Sequence, residues 1–304
     1  MNSKTVKAYA KINIALNVLG KENGYHNLDT VVCTVNKYDT ITVTKRKDKK
    51  ILVSFVGRYG KVYDKQEETN AYKTAKLFMD TFNVNGANIE INSDIPLGSG
   101  MGGSSADIVG VAYALKKVYK IDAPLKPLVD TLGSDTGYLL KGGFARLTGR
   151  GDIVEHISTD IKLYFVVIYG KQGVNSKDAF NVYDNLDSES IEKSNIDELI
   201  KGIETIDFTK FDGNIKNGLL NSSIKLNEEI KTNLDAIKNL SPSYYSMTGS
   251  GSTVFAIYEN LEMARWAHQK LKKKYGDSVE LLSSYDPNKP YFLDSLLGKN
   301  IIQE

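Results

Sequence analysis

The chain has 304 residues, of which 41% are hydrophobic and 25% are charged, as in an ordinary soluble globular protein. This length exceeds one average domain, so we expect two domains. The formal net charge of +2 provides no strongly basic surface, which argues against a nucleic-acid partner.

Cysteine and histidine usage excludes several kinds of site. Cys33 is the only cysteine, so an internal disulfide and a cysteine-rich metal site are both excluded, and its apolar surroundings predict a buried thiol. The three histidines, His26, His156 and His268, lack a metal-binding spacing, so the sequence assigns no residue as a metal ligand. No apolar run approaches the ~20 residues of a membrane span, and no signal-peptide pattern is present. We therefore expect a cytoplasmic protein without a membrane partner.

The first half of the chain mixes strand and helix patterns. Alternating apolar residues predict strands around 41–43 and 87–91. Apolar residues at helical spacing predict helices over 72–82 and 104–119. Pro124 and Pro127 mark the next short helix, because proline suits a first turn better than a helix interior.

The second half continues this mixture. The apolar run 163–168 predicts a buried strand, and we place a domain boundary before it, giving domains 1–157 and 158–304. A strand–loop–strand over 244–258 and a helix over 264–271 follow one further helix, which carries four apolar residues in register: Leu226, Ile230, Leu234 and Ile237. The absence of a steady βαβ rhythm favours the α+β class.

Residues 96–107 form the strongest local motif, with four glycines and three serines between a predicted strand and a predicted helix. Glycines allow backbone N–H groups to approach a ligand, and a helix N-terminus adds donors and partial positive charge. Together they predict an anion site suited to a triphosphate. The motif is neither a Walker A loop nor a Rossmann fingerprint. The alternative is a flexible loop preceding a helix.

Three further segments have a functional and a structural interpretation. The glycine cluster 247–253 is either part of a site or a hairpin turn. Asp135, beside small residues, is either a functional carboxylate or a helix cap. Lys11, in an apolar strand pattern, is either functional or an exposed strand lysine.

These four segments, in this order, resemble the GHMP kinase superfamily, which is named for galactose, homoserine, mevalonate and phosphomevalonate kinases. Residues 10–16, followed by Gly24-Tyr25-His26, are similar to the A-K-I-N-L-x-L and G-Y-H patterns of the 4-diphosphocytidyl-2-C-methyl-D-erythritol kinase family. The resemblance extends to about residue 284, through 69–73, 133–135, 142–145, 149–151, 173–174 and 248–253.

The resemblance implies a fold and an activity. The fold would be a two-domain GHMP kinase fold, with an N-terminal domain like domain 2 of ribosomal protein S5 and a ferredoxin-like C-terminal domain. The activity would be ATP-dependent phosphorylation of the 2-hydroxyl of an acceptor that carries a cytidine diphosphate group, in the non-mevalonate isoprenoid pathway. ATP implies Mg²⁺ as a cofactor. No oligomeric state is implied.

The resemblance also assigns residues to roles. Asp135 would accept the hydroxyl proton, and Lys11 would keep Asp135 ionised. The phosphates would lie in a loop formed by Pro96, Leu97, Gly98, Ser99, Gly100, Met101, Gly102, Gly103, Ser104 and Ser105. The acceptor would contact Asn13, Tyr25, His26, Phe180 or Tyr183, Gly249 and Ser250.

The sequence departs from the family pattern in places. Ser104 replaces the first glycine of the family's G-G-S-A-D run, Thr136-Gly137-Tyr138 stands where the family has Val-Pro-Phe, and residues 285–304 match nothing in the pattern. Two alternatives therefore stay open: a superfamily kinase with another acceptor alcohol, and a nucleotide-binding regulator that has lost catalysis. The G-Y-H motif argues against the first, and Lys11 with Asp135 argues against the second.

Overall fold

The computed structural model describes residues 2–22 and 24–288, which form two compact units interleaved along the chain. Unit 1 contains the described residues up to Ala10, then Lys37–Leu97 and Gly102–Leu140. Unit 2 contains Lys11–Asn36, Gly98–Met101 and the described residues from Lys141 onward. The predicted boundary after residue 157 divides the chain only once and stays a prediction. Residues 289–304 of the unmatched tail lie outside the described residues.

The strands are numbered in chain order. They are β1 (Ser3–Glu22), β2 (Tyr25–Lys45), β3 (Ile51–Val56), β4 (Ala87–Asn92), β5 (Phe144–Gly149), β6 (Ile153–Ile157), β7 (Tyr164–Ile168), β8 (Tyr244–Met247), β9 (Val254–Tyr258) and β10 (Val279–Ser283).

The α-helices follow the same order. They are α1 (Asn70–Phe82), α2 (Gly103–Tyr119), α3 (Lys126–Val129), α4 (Thr136–Leu139), α5 (Ser176–Tyr183), α6 (Ile196–Thr205), α7 (Leu220–Leu226), α8 (Glu229–Lys238) and α9 (Leu261–Tyr275). Short 3₁₀ turns lie at Gln66–Glu68, Ser188–Ser190, Phe208–Phe211 and Gly276–Ser278.

Unit 1 combines a twisted sheet with helices. β4 pairs in parallel with β3 and antiparallel with the second half of β2. Ile41, Val43, Ile89 and Ile91 are buried, while the residues between them are wholly or partly exposed, so one face of the sheet forms the core. Helices α1 and α2 pack against each other in this unit.

Unit 2 contains a second sheet, in the order β10-β7-β9-β8, with every neighbouring pair antiparallel. Taken along the chain, β7, α5, β8, β9, α9 and β10 have the order and strand arrangement of a ferredoxin-like motif, with further helices inserted. Helix α9 packs on β7 and β10, and α8 packs on β8 and β9. This confirms the α+β class and the ferredoxin-like expectation for the second half.

Most predicted elements are confirmed, and one is corrected. The predicted helices 72–82 and 104–119 correspond to α1 and α2, and the strand over 163–168 corresponds to β7. The helix predicted through Leu226 is interrupted: α7 ends there, Asn227 is extended, and its side-chain Oδ1 accepts the N–H of Glu229 at 3.0 Å. Leu226 is exposed, so its register with Ile230 does not place it in the core.

Two further predictions concern the burial of Cys33 and the presence of membrane-spanning helices. Cys33 is fully buried in β2, and burial raises the pKa of its thiol, which confirms a structural cysteine. Among residues 2–22 and 24–288, no helix has the length and apolar character required to cross a membrane.

Gly110 on α2 generates a stability prediction. A Cβ there would overlap the terminal methyl of Ile41 and lie 2.9 Å from the Cβ of Ala8. Because the site has no spare volume, we expect Gly110→Val to lower the free energy of unfolding by about 1–3 kcal/mol in urea titrations. Lys117→Val, on a partly exposed position of the same helix, should cost only about 0.5 kcal/mol. Equal effects of the two substitutions would contradict the packing argument.

Candidate active site

The loop of residues 96–105, called the glycine loop below, is shared between the units. Pro96, Leu97 and residues 102–105 belong to unit 1, and Gly98–Met101 belongs to unit 2. Gly102 precedes α2 as its N-cap with a φ of +74°, a left-handed conformation that favours glycine. Because glycine has no side chain, no capping group occupies the start of α2. The N–H groups of the first turn can therefore serve an anion.

In unit 2, the glycine loop approaches the turn between β8 and β9. Gly100 has a φ of +77°, and a Cβ on it would overlap the carbonyl oxygen of Thr248. A Cβ on Gly249 would lie 2.7 Å from the carbonyl oxygen of Gly100. The N–H of Thr253 donates to the carbonyl oxygen of Ser99 at 3.3 Å. The 247–253 cluster is thus a hairpin turn that also packs on the glycine loop.

Lys11 and Asn13 on β1 join this arrangement. The N–H of Lys11 donates to the carbonyl oxygen of Met101 at 2.9 Å, and its Nζ donates to Oδ1 of Asn13. The N–H of Asn13 donates to Oγ1 of Thr248 at 2.9 Å, and its Nδ2 donates to Oγ1 of Thr30 at 2.9 Å. Lys11 is only 5% exposed, so the alternative of an exposed strand lysine is wrong.

A buried asparagine that the sequence analysis missed supports the turn. Asn217 is 1% exposed, and its Nδ2 donates to the carbonyl oxygens of Met247 and Gly249 at 2.7 and 2.8 Å. Ser250 is also buried and contacts Oγ of Ser176 at 3.0 Å. The turn is therefore held by side chains from distant segments, and no local sequence signal marks Asn217.

His26 lies in an aromatic cluster in unit 2. Its ring stacks on Phe180 with a centroid separation of 4.5 Å and an interplanar angle of 15°. Tyr183 meets the same ring edge-on, with centroids 6.1 Å apart. Phe180 and Tyr183 are three residues apart on α5, so both lie on one side of that helix. The structure thus brings together three of the predicted acceptor-binding residues.

Asp184, which the sequence analysis did not single out, binds the outer edge of this cluster. Its Oδ1 lies 2.5 Å from Nε2 of His26, and its Oδ2 accepts from Nζ of Lys21 at 3.0 Å. The hydrogen bonds from His26 and Lys21 hold the pKa of the Asp184 carboxyl below its usual range. The carboxylate therefore fixes the orientation of the imidazole ring.

Tyr25 lies apart from this stack on the surface. Its side chain is 53% exposed, and the guanidinium of Arg150 lies 3.7 Å from its ring centroid. This is the geometry of a cation–π contact, which leaves the other ring face available for stacking.

The remaining predicted residues belong to unit 1. Asp135 immediately precedes α4, and within the described part of the chain its side chain makes no capping hydrogen bond to that helix. A Cβ on Gly133 would lie 3.0 Å from Oγ of Ser105, so the segment before Asp135 packs against the start of α2. Ser104 accepts a hydrogen bond from Nδ2 of Asn70. The structure thus places Asp135 beside one end of the glycine loop in unit 1.

Side chains that could hold a metal ion are dispersed. In the parts of the chain that the structure describes, no group of three or more histidine, cysteine, aspartate or glutamate side chains is arranged for this.

The contact between Gly100 and Thr248 generates a second prediction. Gly100→Ala should destabilise the protein by more than about 2 kcal/mol, because it combines a left-handed backbone, worth about 1–2 kcal/mol, with overlap against a carbonyl oxygen. Gly213→Ala is the matched control: its φ is +70°, but nothing lies within 4 Å of the added Cβ. Urea unfolding of both variants measures the difference, and equal losses would show that the close approach is unimportant.

The sequence matches two protein families, in the two regions that contain the glycine loop and the 247–253 turn. The family described as GHMP kinases N terminal domain matches residues 69–144, which include the glycine loop and Asp135. The family described as GHMP kinases C terminal matches residues 190–277, which include the 247–253 turn.

Two individual relatives point to one kinase family within the GHMP kinases. A protein of Clostridium perfringens named 4-diphosphocytidyl-2-C-methyl-D-erythritol kinase is 36% identical over 277 residues, covering 89% of this chain and 94% of the relative. A Clostridium beijerinckii protein of the same name is 32% identical, covering 90% of this chain and 97% of the relative.

Solved structures show the same fold at lower identity. A crystal structure of 4-(cytidine 5'-diphospho)-2C-methyl-D-erythritol kinase has a TM-score of 0.75 at 23% identity and covers 93% of this chain and 100% of that one. A homoserine kinase from Cytophaga hutchinsonii has a TM-score of 0.71 at 18% identity, covering 94% and 95%. The chain therefore belongs to the GHMP kinases and, within them, to the 4-diphosphocytidyl-2-C-methyl-D-erythritol kinase family of ATP-dependent phosphotransferases.

Proposed function

We propose that this protein transfers the γ-phosphoryl group of ATP to the 2-hydroxyl of 4-diphosphocytidyl-2-C-methyl-D-erythritol, a step in the non-mevalonate route to isoprenoid precursors. The relatives named for this activity support the proposal over nearly the full chain. The observation that carries it is the His26–Phe180–Tyr183 cluster with its Asp184 partner, because a small acceptor without a base would not require this aromatic surface.

In the proposed chemical step, the acceptor oxygen forms a bond to the γ-phosphorus while the bond from that phosphorus to the β–γ bridging oxygen breaks. The hydroxyl proton passes to the carboxylate of Asp135, and ADP leaves. Lys11 would stabilise negative charge as the phosphoryl group moves. Phosphoryl transfer depends mainly on positioning and charge stabilisation, so a carboxylate and an ammonium are sufficient side-chain chemistry.

The glycine loop would bind the phosphates of ATP. Three observations fit this role: the left-handed Gly102, the start of α2 directly after it, and the absence of a capping side chain at that position. Mg²⁺, when bound to ATP, would neutralise part of the phosphate charge.

The acceptor's cytosine would be read by stacking and by its polar edge. Asp184 holds Nε2 of His26, so Nδ1 is the nitrogen that could meet the base. Phe180, parallel to His26, is better oriented than the edge-on Tyr183 to offer a stacking surface. Tyr25 would add a second aromatic face, and Asn13, Gly249 and Ser250 would line the acceptor site beside the glycine loop.

The proposed catalytic pair generates a third prediction. Asp135→Asn should lower kcat by ~10²–10⁴ with little change in ATP affinity, because the amide keeps the shape and cannot accept the proton. Lys11→Met should cause a comparable loss, and the double variant should be little worse than the less active single one. A coupled ADP-release assay gives kcat, and calorimetry gives ATP affinity. Near-normal turnover in Asp135→Asn would place the base elsewhere.

The aromatic cluster generates a fourth prediction. His26→Ala removes the Nδ1 contact and the ring that packs on the Phe180 stacking surface, and stacking is worth ~1–3 kcal/mol per base, so it should raise KM for the cytidine-bearing acceptor about 5- to 150-fold and leave KM for ATP nearly unchanged. His268→Ala, a partly buried histidine on α9, is the control and should leave both constants unchanged. CDP should compete with the acceptor and not with ATP. Efficient phosphorylation of an acceptor without cytidine, or no inhibition by CDP, would contradict the proposed substrate.

A further inference from the structure

A pair of buried aspartates in unit 1 lies where the glycine loop begins and ends. Asp39 on β2 is 3% exposed, and its Oδ1 accepts the N–H groups of Asp94 and Ile95 at 2.5 and 2.8 Å. Ile95 is the residue directly before Pro96. The carboxylate of Asp39 therefore holds the backbone at the entrance of the loop.

The second aspartate holds the exit. Asp107 lies on α2 four residues after Gly103, so the two share one face of the helix. The side chain of Asp107 is hydrogen-bonded to that of Asp39. A Cβ on Gly103 would lie 3.1 Å from Cγ2 of Ile95, so the first turn of α2 also packs against the entrance. The pair thus links β2, the segment after β4 and the start of α2.

Because the carboxyl groups of Asp39 and Asp107 are buried and adjacent, ionising both of them carries a high free-energy cost. Burial and the neighbouring Asp39 charge raise the pKa of Asp107 well above its usual range. Burial also raises the pKa of Asp39, although its two backbone N–H bonds act in the opposite direction. One oxygen of Asp107 is buried without a hydrogen-bond partner among the described residues, which further disfavours its charged form. A protonated Asp107 that donates to Asp39 is consistent with these directions and with the two backbone N–H groups that Asp39 already accepts.

Other charges near the pair lie on several elements. On the sheet side, Lys37 on β2 forms an ion pair with Asp94 at 2.6 Å. Asp135 precedes α4. The remaining charged side chains on α2 and on elements of this unit next to it are exposed or partly exposed: Lys4 and Lys7 on β1, Lys45 on β2, Lys73, Lys76 and Asp80 on α1, Lys116 and Lys117 on α2, Lys126 on α3, and Asp130 directly after α3.

We propose that Asp39 and Asp107 share one proton and act as positioning residues that fix both ends of the glycine loop for ATP binding. This inference rests on the proposed role of that loop in binding phosphate. Neither aspartate needs to touch the nucleotide. An asparagine side chain at position 107 can make the same donation without a proton to lose, whereas alanine removes this donation and leaves Asp39 only its two backbone N–H donors.

The first test measures ATP affinity by calorimetry at pH 7.5. Asp107→Ala should weaken ATP binding at least about 10-fold, and Asp107→Asn should stay within about 2-fold of the wild-type protein. Gly103→Val tests the loop itself and should also weaken ATP binding. If Gly103→Val weakens binding and Asp107→Ala does not, the positioning role is wrong and the loop assignment stands. If neither variant weakens binding, both proposals are wrong.

The second test uses thermal unfolding and does not depend on Asp107→Ala being folded. Because the pKa of Asp107 is raised on folding, its contribution to stability is complete below the usual aspartate pKa and is lost as the pH rises through the raised value. The amide introduced by Asp107→Asn cannot titrate, so the Tm of this variant relative to wild type should increase by at least about 3 °C between pH 5 and pH 8. Asp122→Asn, an exposed aspartate beyond α2, should show no such increase. A constant or decreasing difference for Asp107→Asn would overturn the shared proton.

Discussion

The close approach of two backbone turns is the constraint on which unit 2 depends. Gly100 and the Thr248–Gly249 peptide meet at a distance that leaves no room for a Cβ on either side. This contact aligns the centre of the glycine loop with the β8–β9 turn, while Asn13 and Asn217 supply the hydrogen bonds that hold the turn in place. A rigid backbone surface of this kind suits phosphate, because phosphate oxygens are bound best by N–H groups already fixed in position.

The two ends of the glycine loop are stabilised in a different way. In unit 1, carboxyl groups and helix packing hold the entrance and the exit, whereas backbone contacts hold residues 98–101 in unit 2. Both sets of contacts restrict the conformation of the glycine loop before a ligand binds. A preorganised loop loses less conformational entropy on binding than a mobile one, so more of the interaction energy appears as affinity.

Local patterns were sufficient to predict most of the fold. Alternation identified β4, helical spacing identified α1 and α2, and a continuous apolar run identified β7. Periodicity was insufficient at Leu226, because the extended Asn227 interrupts a pattern that would otherwise suit one long helix. The motif residues were predictable through family resemblance. Asp184, Asn217 and the Asp39–Asp107 pair were not, because their partners are distant in sequence and become neighbours only through the tertiary structure.

The interleaving of the two units has a consequence for modularity. β1 and β2 each contribute one portion to unit 1 and another to unit 2, and the middle of the glycine loop also changes unit. If the chain is divided at one position between the first and the last point where it passes from one unit to the other, at least one unit loses a segment that belongs to it. Neither unit can therefore be exchanged between proteins as one continuous stretch of sequence. In a lineage of these kinases, the two units must instead diversify together, by substitution within one continuous gene segment.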